Sequence, residues 1–294
     1  MPSAKRVKTR AGYFALRCLS FVCRVGSHRF LCGLGSFLGD LLYVGSARLR
    51  RTALSNLSLA LSAHMSEADI RQLCRSSFRV FSKDVVEFLS SSHVTREELR
   101  RRVELRGEEF LRSALKGGKG VILLSAHFGN WEWMAARISA DGIPVSFVRR
   151  LDSDPATEAL IDSAQRHNNI KIIPKHDVRA ALRSLRDNEV LLMLADQNAG
   201  SAGIRVPFFG CPASTFPGVA ALAIRTGTPV IPGFAVRKPD DNHVVTFYPA
   251  LQQLPGKDNQ EKIRANTVLY TKVIEDQIRR HPDHWIWFLR RWRS

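Results

Sequence analysis

GVILLSAHFGNWEW, residues 120–133, passes from strand to loop to helix and sets the frame for the rest of the chain. The apolar run at 120–125 reads as a buried strand. Gly129 and Asn130 then punctuate, and Trp131 opens a helix. Asn130 can cap that helix, which leaves Glu132 in the first turn, where the helix dipole favours a carboxylate. The same alternation repeats outward. Further β-branched runs lie at 144–149, 170–174, 189–195, 229–236 and 244–249, with helical stretches at 131–140, 154–168, 176–187 and 217–226 between them. Strand and helix in alternation predict an α/β domain: a mixed, largely parallel sheet flanked by helices. Residues 48–115 read as helical and charged, with Ser66 as an N-cap three residues before Asp69. A last helix at about 258–280 precedes the tail HPDHWIWFLRRWRS.

His127 and Glu132 are five residues apart, about 140° out of register on a single helix. They can meet only if His127 sits on the loop and the chain folds back. A carboxylate on one imidazole nitrogen fixes the tautomer and leaves the other free as a base, able to deprotonate a hydroxyl for attack on an ester or thioester. The spacing is equally that of a loop histidine followed by a helix-stabilising glutamate, and on spacing alone both readings stay open. Other chemistries fit less well. The spacing is not the HExxH of a zinc helix, and no GxSxG elbow occurs. KGGKG at 116–120 precedes a strand, whereas a phosphate loop follows one. GLGSFLG at 33–39 has the wrong spacing for a dinucleotide fingerprint, with no strand before it.

The 294 residues carry 44 Lys and Arg against 27 Asp and Glu, a formal charge of +17, with 45% hydrophobic side chains. Such a composition excludes a disordered or collagen-like chain, and the charge points to a polyanionic partner. The five scattered cysteines include no CxxC pair, which argues against a disulfide scaffold and fits a reducing compartment. Residues 1–51 hold ten basic side chains and one acidic, Asp40, a local +9 interleaved with aromatic and aliphatic residues. Arg17, Arg24, Arg29 and Asp40 interrupt every apolar window, so a clean membrane span is disfavoured. A basic amphipathic segment in the interface of an anionic membrane fits best, and a helical hairpin packed on the domain is the alternative. Nothing resembles a helix-turn-helix, zinc-finger or RNA-binding signature, so nucleic acid is not expected. The division expected is a membrane-associating helical segment, 1–47, and a catalytic α/β domain, 48–294.

From about Arg48 to Arg293 the chain resembles the bacterial lipid A secondary acyltransferases, within the lysophospholipid acyltransferase superfamily. RRTALSNLSLAL at 50–61, SAHFGNWEW at 125–133, ADQNAG at 195–200, RVPFFG at 205–210, FPGVAALAIRTGTPVIP at 216–232 and HWIWFLRRWR at 284–293 follow the family's motifs in order. The resemblance implies a glycerolipid acyltransferase-like fold. It also implies transfer of a fatty acyl chain, from acyl carrier protein or coenzyme A, to a hydroxyl of a phosphorylated glycolipid at the cytoplasmic face of the inner membrane. No metal or bound cofactor is implied. In that scheme His127 is the general base and Glu132 its orienting partner, with Arg166 and Asp196 as further active-site residues. The family's aromatic-Arg-Pro block is here Val148-Arg149-Arg150-Leu151, which keeps arginine without the aromatic or the proline. Arg149 or Arg150 would meet an anionic headgroup, or form a solvated pair. The same chemistry on a phosphatidylinositol mannoside, and a non-catalytic basic membrane protein, are the competing readings. In the tail, Trp285 and Trp287 are expected to pack rather than to belt a membrane.

Overall fold

The computed structural model describes residues 22–23, 26–152 and 154–292. Most of the basic N-terminal residues, from Lys5 to Arg24, and Arg293 lie outside them. Buried alternation drives the sheet. In β2 (Val121–Ser125) every residue is buried, as expected of a strand covered on both faces. Its side chains divide by parity: Val121 and Leu123 enter one core, Ile122 and Leu124 the other. In β5 (Val190–Leu194) Val190 and Leu192, then Leu191 and Met193, divide in the same way.

With β1 (Val103–Arg106), β3 (Val145–Arg149), β4 (Ile170–Pro174), β8 (Val230–Arg237) and β9 (His243–Phe247) these strands form one seven-stranded sheet. Its order is β1-β9-β8-β2-β5-β3-β4, and only the β8–β9 pair is antiparallel. On one face lie α4 (Arg96–Arg102), α5 (Glu108–Leu115) and α6 (Trp131–Ala140). The other is covered by α2 (Ala47–Leu61), α3 (Glu67–Ser90), α8 (Val178–Arg186), α9 (Gly218–Thr226) and α10 (Asn259–Arg280). α7 (Pro155–His167) follows β3 and packs against β4. The expected caps form: Ser66 accepts from the Asp69 N–H, and Asn130 from the Trp133 N–H.

Two departures from the sequence reading are local. β1 lies inside a stretch read as helical. It is a four-residue edge strand that buries only Val103 fully, so it leaves no alternation to detect. RVPFFG, for which no strand was read, lies in a hairpin of β6 (Ile204–Phe208) and β7 (Cys211–Thr215). The two turn residues Phe209 and Gly210 have φ of +51° and +74°, as a primed two-residue turn requires.

α1 (His28–Gly45) packs on α3 through small residues. A Cβ built on Gly35 would lie 2.7 Å from the Lys83 Cα, and one on Gly39 would lie 2.6 Å from the Arg79 Cα. GLGSFLG thus serves helix packing. The opposite side exposes Phe30, Phe37, Leu41 and Val44. No single helix among the described residues is long and apolar enough to cross a membrane, and α1 and α2 meet at a 92° bend.

Candidate active site

β2 and β5 are parallel neighbours with Ser125 opposite Leu194. Two residues beyond each strand end come His127 and Asp196, so the register itself brings them face to face. The crevice at the carboxyl ends of such strands is where open α/β sheets bind ligands. The chain leaves β2 for β3 on one side and leaves β5 for β8 on the other, with α6 and α9 on opposite faces of the sheet.

His127 Nδ1 lies 2.8 Å from Asp196 Oδ1, and the His127 backbone N–H donates to Asp196 Oδ2 at 3.0 Å. The Trp285 indole N–H adds a third bond to Oδ2 at 2.7 Å. Burial pushes the Asp196 carboxyl up, but the imidazole and these hydrogen bonds outweigh it and hold the pKa below its ordinary value. An ionised carboxylate only accepts, so Nδ1 carries the proton and Nε2 keeps its lone pair. That lone pair meets the side-chain amide of Gln197, 3.0 Å away. Trp131 packs edge-on to the ring at 5.2 Å between centroids.

The loop holding His127 is pinned from behind. Gly129 has φ +53°, and a Cβ there would fall 2.0 Å from the Ala235 carbonyl oxygen, so only glycine fits. The Gly129 N–H donates to the His284 carbonyl, and the Ile286 N–H donates to the His127 carbonyl. Asn130 does more than cap α6: its Nδ2 donates to the buried Glu87 at 2.7 Å. Glu87 accepts in turn from Arg237 at 2.6 Å and lies 3.0 Å from His243 Nε2. Arg237 and His243 hold the Glu87 carboxyl well below the carboxylate range although burial opposes them. Trp285 and Trp287 are buried, as expected.

The expectation that Glu132 orients His127 is corrected: the carboxylate on Nδ1 is that of Asp196. Glu132 turns with α6 toward α7, where Gln165 Nε2 donates to both its oxygens at 3.0 and 3.2 Å. It stays near enough for His127 to lower its pKa, yet burial dominates and pushes that pKa up to about 7. The Arg149 guanidinium is engaged within the protein. It donates to Gln165 at 3.0 Å and grips Glu158 with two bonds, at 2.6 and 2.9 Å. Arg150 is exposed. Arg166 stands apart from His127, on the outer side of α7, with its side chain 77% exposed and paired with Asp162. One residue earlier, about 100° around the helix, Gln165 points inward. Gln165, Gln197 and the Trp285 indole were not singled out for the site from sequence. The equal two-residue overhangs of β2 and β5 would have exposed the His127–Asp196 pair once the strands were known to be neighbours.

The family model described as bacterial lipid A biosynthesis acyltransferase matches residues 3–294. The lipid A biosynthesis palmitoleoyltransferase of Escherichia coli (strain K12) is 24% identical over 267 residues, covering 90% of this chain and 85% of that one. A phosphatidylinositol mannoside acyltransferase of Mycobacterium tuberculosis (strain CDC 1551 / Oshkosh) is 26% identical over 198 residues, 61% of this chain and 56% of the relative. The crystal structure of the 1-acyl-sn-glycerophosphate acyltransferase PlsC from Thermotoga maritima aligns over 86% of this chain and 97% of its own, with a TM-score of 0.40 at 12% identity.

Proposed function

The chain belongs to the bacterial lipid A biosynthesis acyltransferase family, and on that premise we propose that it moves a fatty acyl chain from an acyl thioester to a hydroxyl of a lipid A precursor, with His127 as general base. The observation that carries this reading is the Asp196–His127–Gln197 line. Its buried carboxylate sits on Nδ1, and its free lone pair on Nε2 reaches only a neutral amide. The Gln197 amide occupies the place that an acceptor hydroxyl takes.

The hydroxyl proton passes to Nε2 as the oxygen attacks the thioester carbonyl carbon. The tetrahedral intermediate then collapses, the C–S bond breaks, and the leaving thiolate takes the proton back from Nε2. Asp196 stays ionised throughout and stabilises the transient imidazolium. The positive end of the α6 dipole lies beside the loop and favours the developing oxyanion. Acyl carrier protein is the proposed donor, since an acidic carrier suits a chain of +17. The site of action is the cytoplasmic face of the inner membrane. The apolar row Phe30, Phe37, Leu41 and Val44 on α1 supports a lipid-facing position.

The test is incubation of the full chain with labelled acyl carrier protein or acyl coenzyme A and a panel of acceptors. The panel holds a tetraacylated lipid A precursor, a phosphatidylinositol mannoside and a lysophospholipid. Transfer to the lipid A precursor, lost on the order of 10³-fold in His127→Ala, is expected. Near-normal turnover of that variant overturns the assignment of the base. Transfer to the mannoside alone reassigns the acceptor.

A further inference from the structure

α2 opens at the 92° bend after α1, with Ser46 as its cap. Arg48, Arg51, Thr52 and Ser55 follow within about two turns and share one helix side. Asn56, beside them, is buried and donates through Nδ2 to the carbonyl oxygens of Trp287 and Leu289, both at 2.7 Å. These two bonds fasten the C-terminal segment against α2 and raise Arg290 and Trp292 as a facing wall. The cleft between has a volume of about 750 Å³.

Many described arginines are neutralised where they stand. Arg75 and Arg79 share Asp40, Arg102 pairs with Glu98, Arg112 with Glu108, and Arg149 with Glu158. Arg48, Arg51 and Arg290 are exposed, and among the described residues none has a carboxylate within 4 Å. Three guanidinium groups lining one cleft without a counter-charge repel one another until an anion joins them, and planar guanidinium matches phosphate with paired N–H donors. The first-turn N–H groups of α2, which have no partner within the helix, add to the positive field.

Two neighbours say what carries the anion. The exposed apolar row of α1 runs down to Val44, next to the bend where Ala47 and Arg48 begin, and exposed Leu59 lines the cleft itself. Arg291, adjoining Arg290, holds the Ser214 carbonyl, and its own carbonyl accepts from Asn198 at 3.3 Å. Asn198 follows Gln197, whose amide touches His127 Nε2. The cleft thus adjoins an apolar surface, and a short run of hydrogen-bonded neighbours links its Arg290 wall to the segment that carries Gln197. We infer that Arg48, Arg51 and Arg290 bind a phosphate monoester borne by the lipid acceptor, holding it so that its hydroxyl reaches His127. This inference rests on the acyl-transfer reading for the role of the cleft and on the cleft alone for binding.

The experiment has two arms, both on the full chain with Arg51→Ala, Arg290→Ala and the matching lysine variants. In the first, acyl transfer is compared on a phosphorylated lipid acceptor and on the same acceptor after removal of its phosphates. Each alanine variant is expected to raise KM for the phosphorylated acceptor on the order of tenfold, with kcat nearly unchanged and partial recovery in the lysine variant. Turnover of the dephosphorylated acceptor is expected to stay at the wild-type level. Equal loss on both acceptors overturns the inference. So does a rise in KM for acyl carrier protein with the acceptor unaffected, which would make the cleft a carrier-docking surface.

In the second arm, calorimetry measures binding of dihexanoyl phosphatidic acid, dihexanoylglycerol, inorganic phosphate and phosphatidylglycerol vesicles. Binding of the phosphatidic acid that weakens about tenfold in each alanine variant supports the inference. No difference between variant and wild type overturns it, as does equal affinity for inorganic phosphate, which assigns the cleft to the free ion. Vesicle binding that falls in parallel with phosphatidic acid binding assigns it to bulk membrane headgroups and overturns it too. Should the wild type transfer no acyl chain, the acyl-transfer reading fails while this second arm still judges the cleft.

Discussion

Asp196 and Glu132 are both carboxylates close to His127, and their surroundings drive them in opposite directions. Asp196, at the mouth of β5, receives the imidazole, a backbone N–H and an indole N–H. Glu132, in the first turn of α6, receives the neutral amide of Gln165, with weaker help from Trp131 and the nearby Arg149 charge. Burial opposes the charged form of both. The donors beat it at Asp196, whose pKa falls, and lose to it at Glu132, whose pKa climbs to about 7. Two acids of similar chemistry therefore hold different protons at neutral pH, and that difference separates a group that supports an imidazolium from one that fills a protein interior.

The largest way to break the contrast is Asp196→Asn, which keeps the shape but removes the charge and presents a donor or a neutral acceptor to Nδ1. Turnover is expected to fall on the order of 10³–10⁴-fold in the acyl-transfer assay with little loss of fold. A drop below tenfold would return the orienting role to Glu132.

Glu132→Gln sharpens the other half. A carboxyl whose folded pKa lies above its unfolded value stabilises the native state when protonated. Its contribution is complete below about pH 4.5, is lost as pH rises toward 7, and stays lost above that. Over that window Glu132 is expected to cost the wild type on the order of 3 kcal/mol of unfolding free energy. The glutamine variant, which mimics the protonated acid, is expected to lack this slope in urea titrations at pH 5, 6 and 7.5. Parallel profiles for the two proteins would place the ionised form of Glu132 in the fold. Gln197→Ala has the smallest expected effect, a two- to tenfold change in kcat/KM, since it removes one neutral hydrogen bond that the acceptor must displace anyway. A loss near that of His127→Ala would make Gln197 part of the chemistry.

Much of this arrangement was legible in the sequence, because β2 to β5 are apolar runs set off by helical stretches and Asn130 caps where its side chain says it can. What stayed hidden depends on long-range order. β5 slips between β2 and β3, and nothing in residues 189–195 says so, yet that insertion gives His127 its carboxylate. The choice between Arg166 and Gln165 turns on one residue of helix phase, which the sparse apolar pattern of α7 does not fix. β1 is too short and too exposed to announce itself, and β6–β7 depends on a turn that places a phenylalanine at positive φ.

The glycine seam between α1 and α3 has a mechanical consequence. With no room for even one carbon at Gly35 or Gly39, the two helices behave as a single strut. α3 carries Glu87, and Glu87 holds the amide of Asn130 three residues from the base. No flexible linker therefore stands between the outward apolar row of α1 and the imidazole. The outward direction of that row and the direction in which Nε2 points are thus fixed relative to one another, as two ends of one rigid frame.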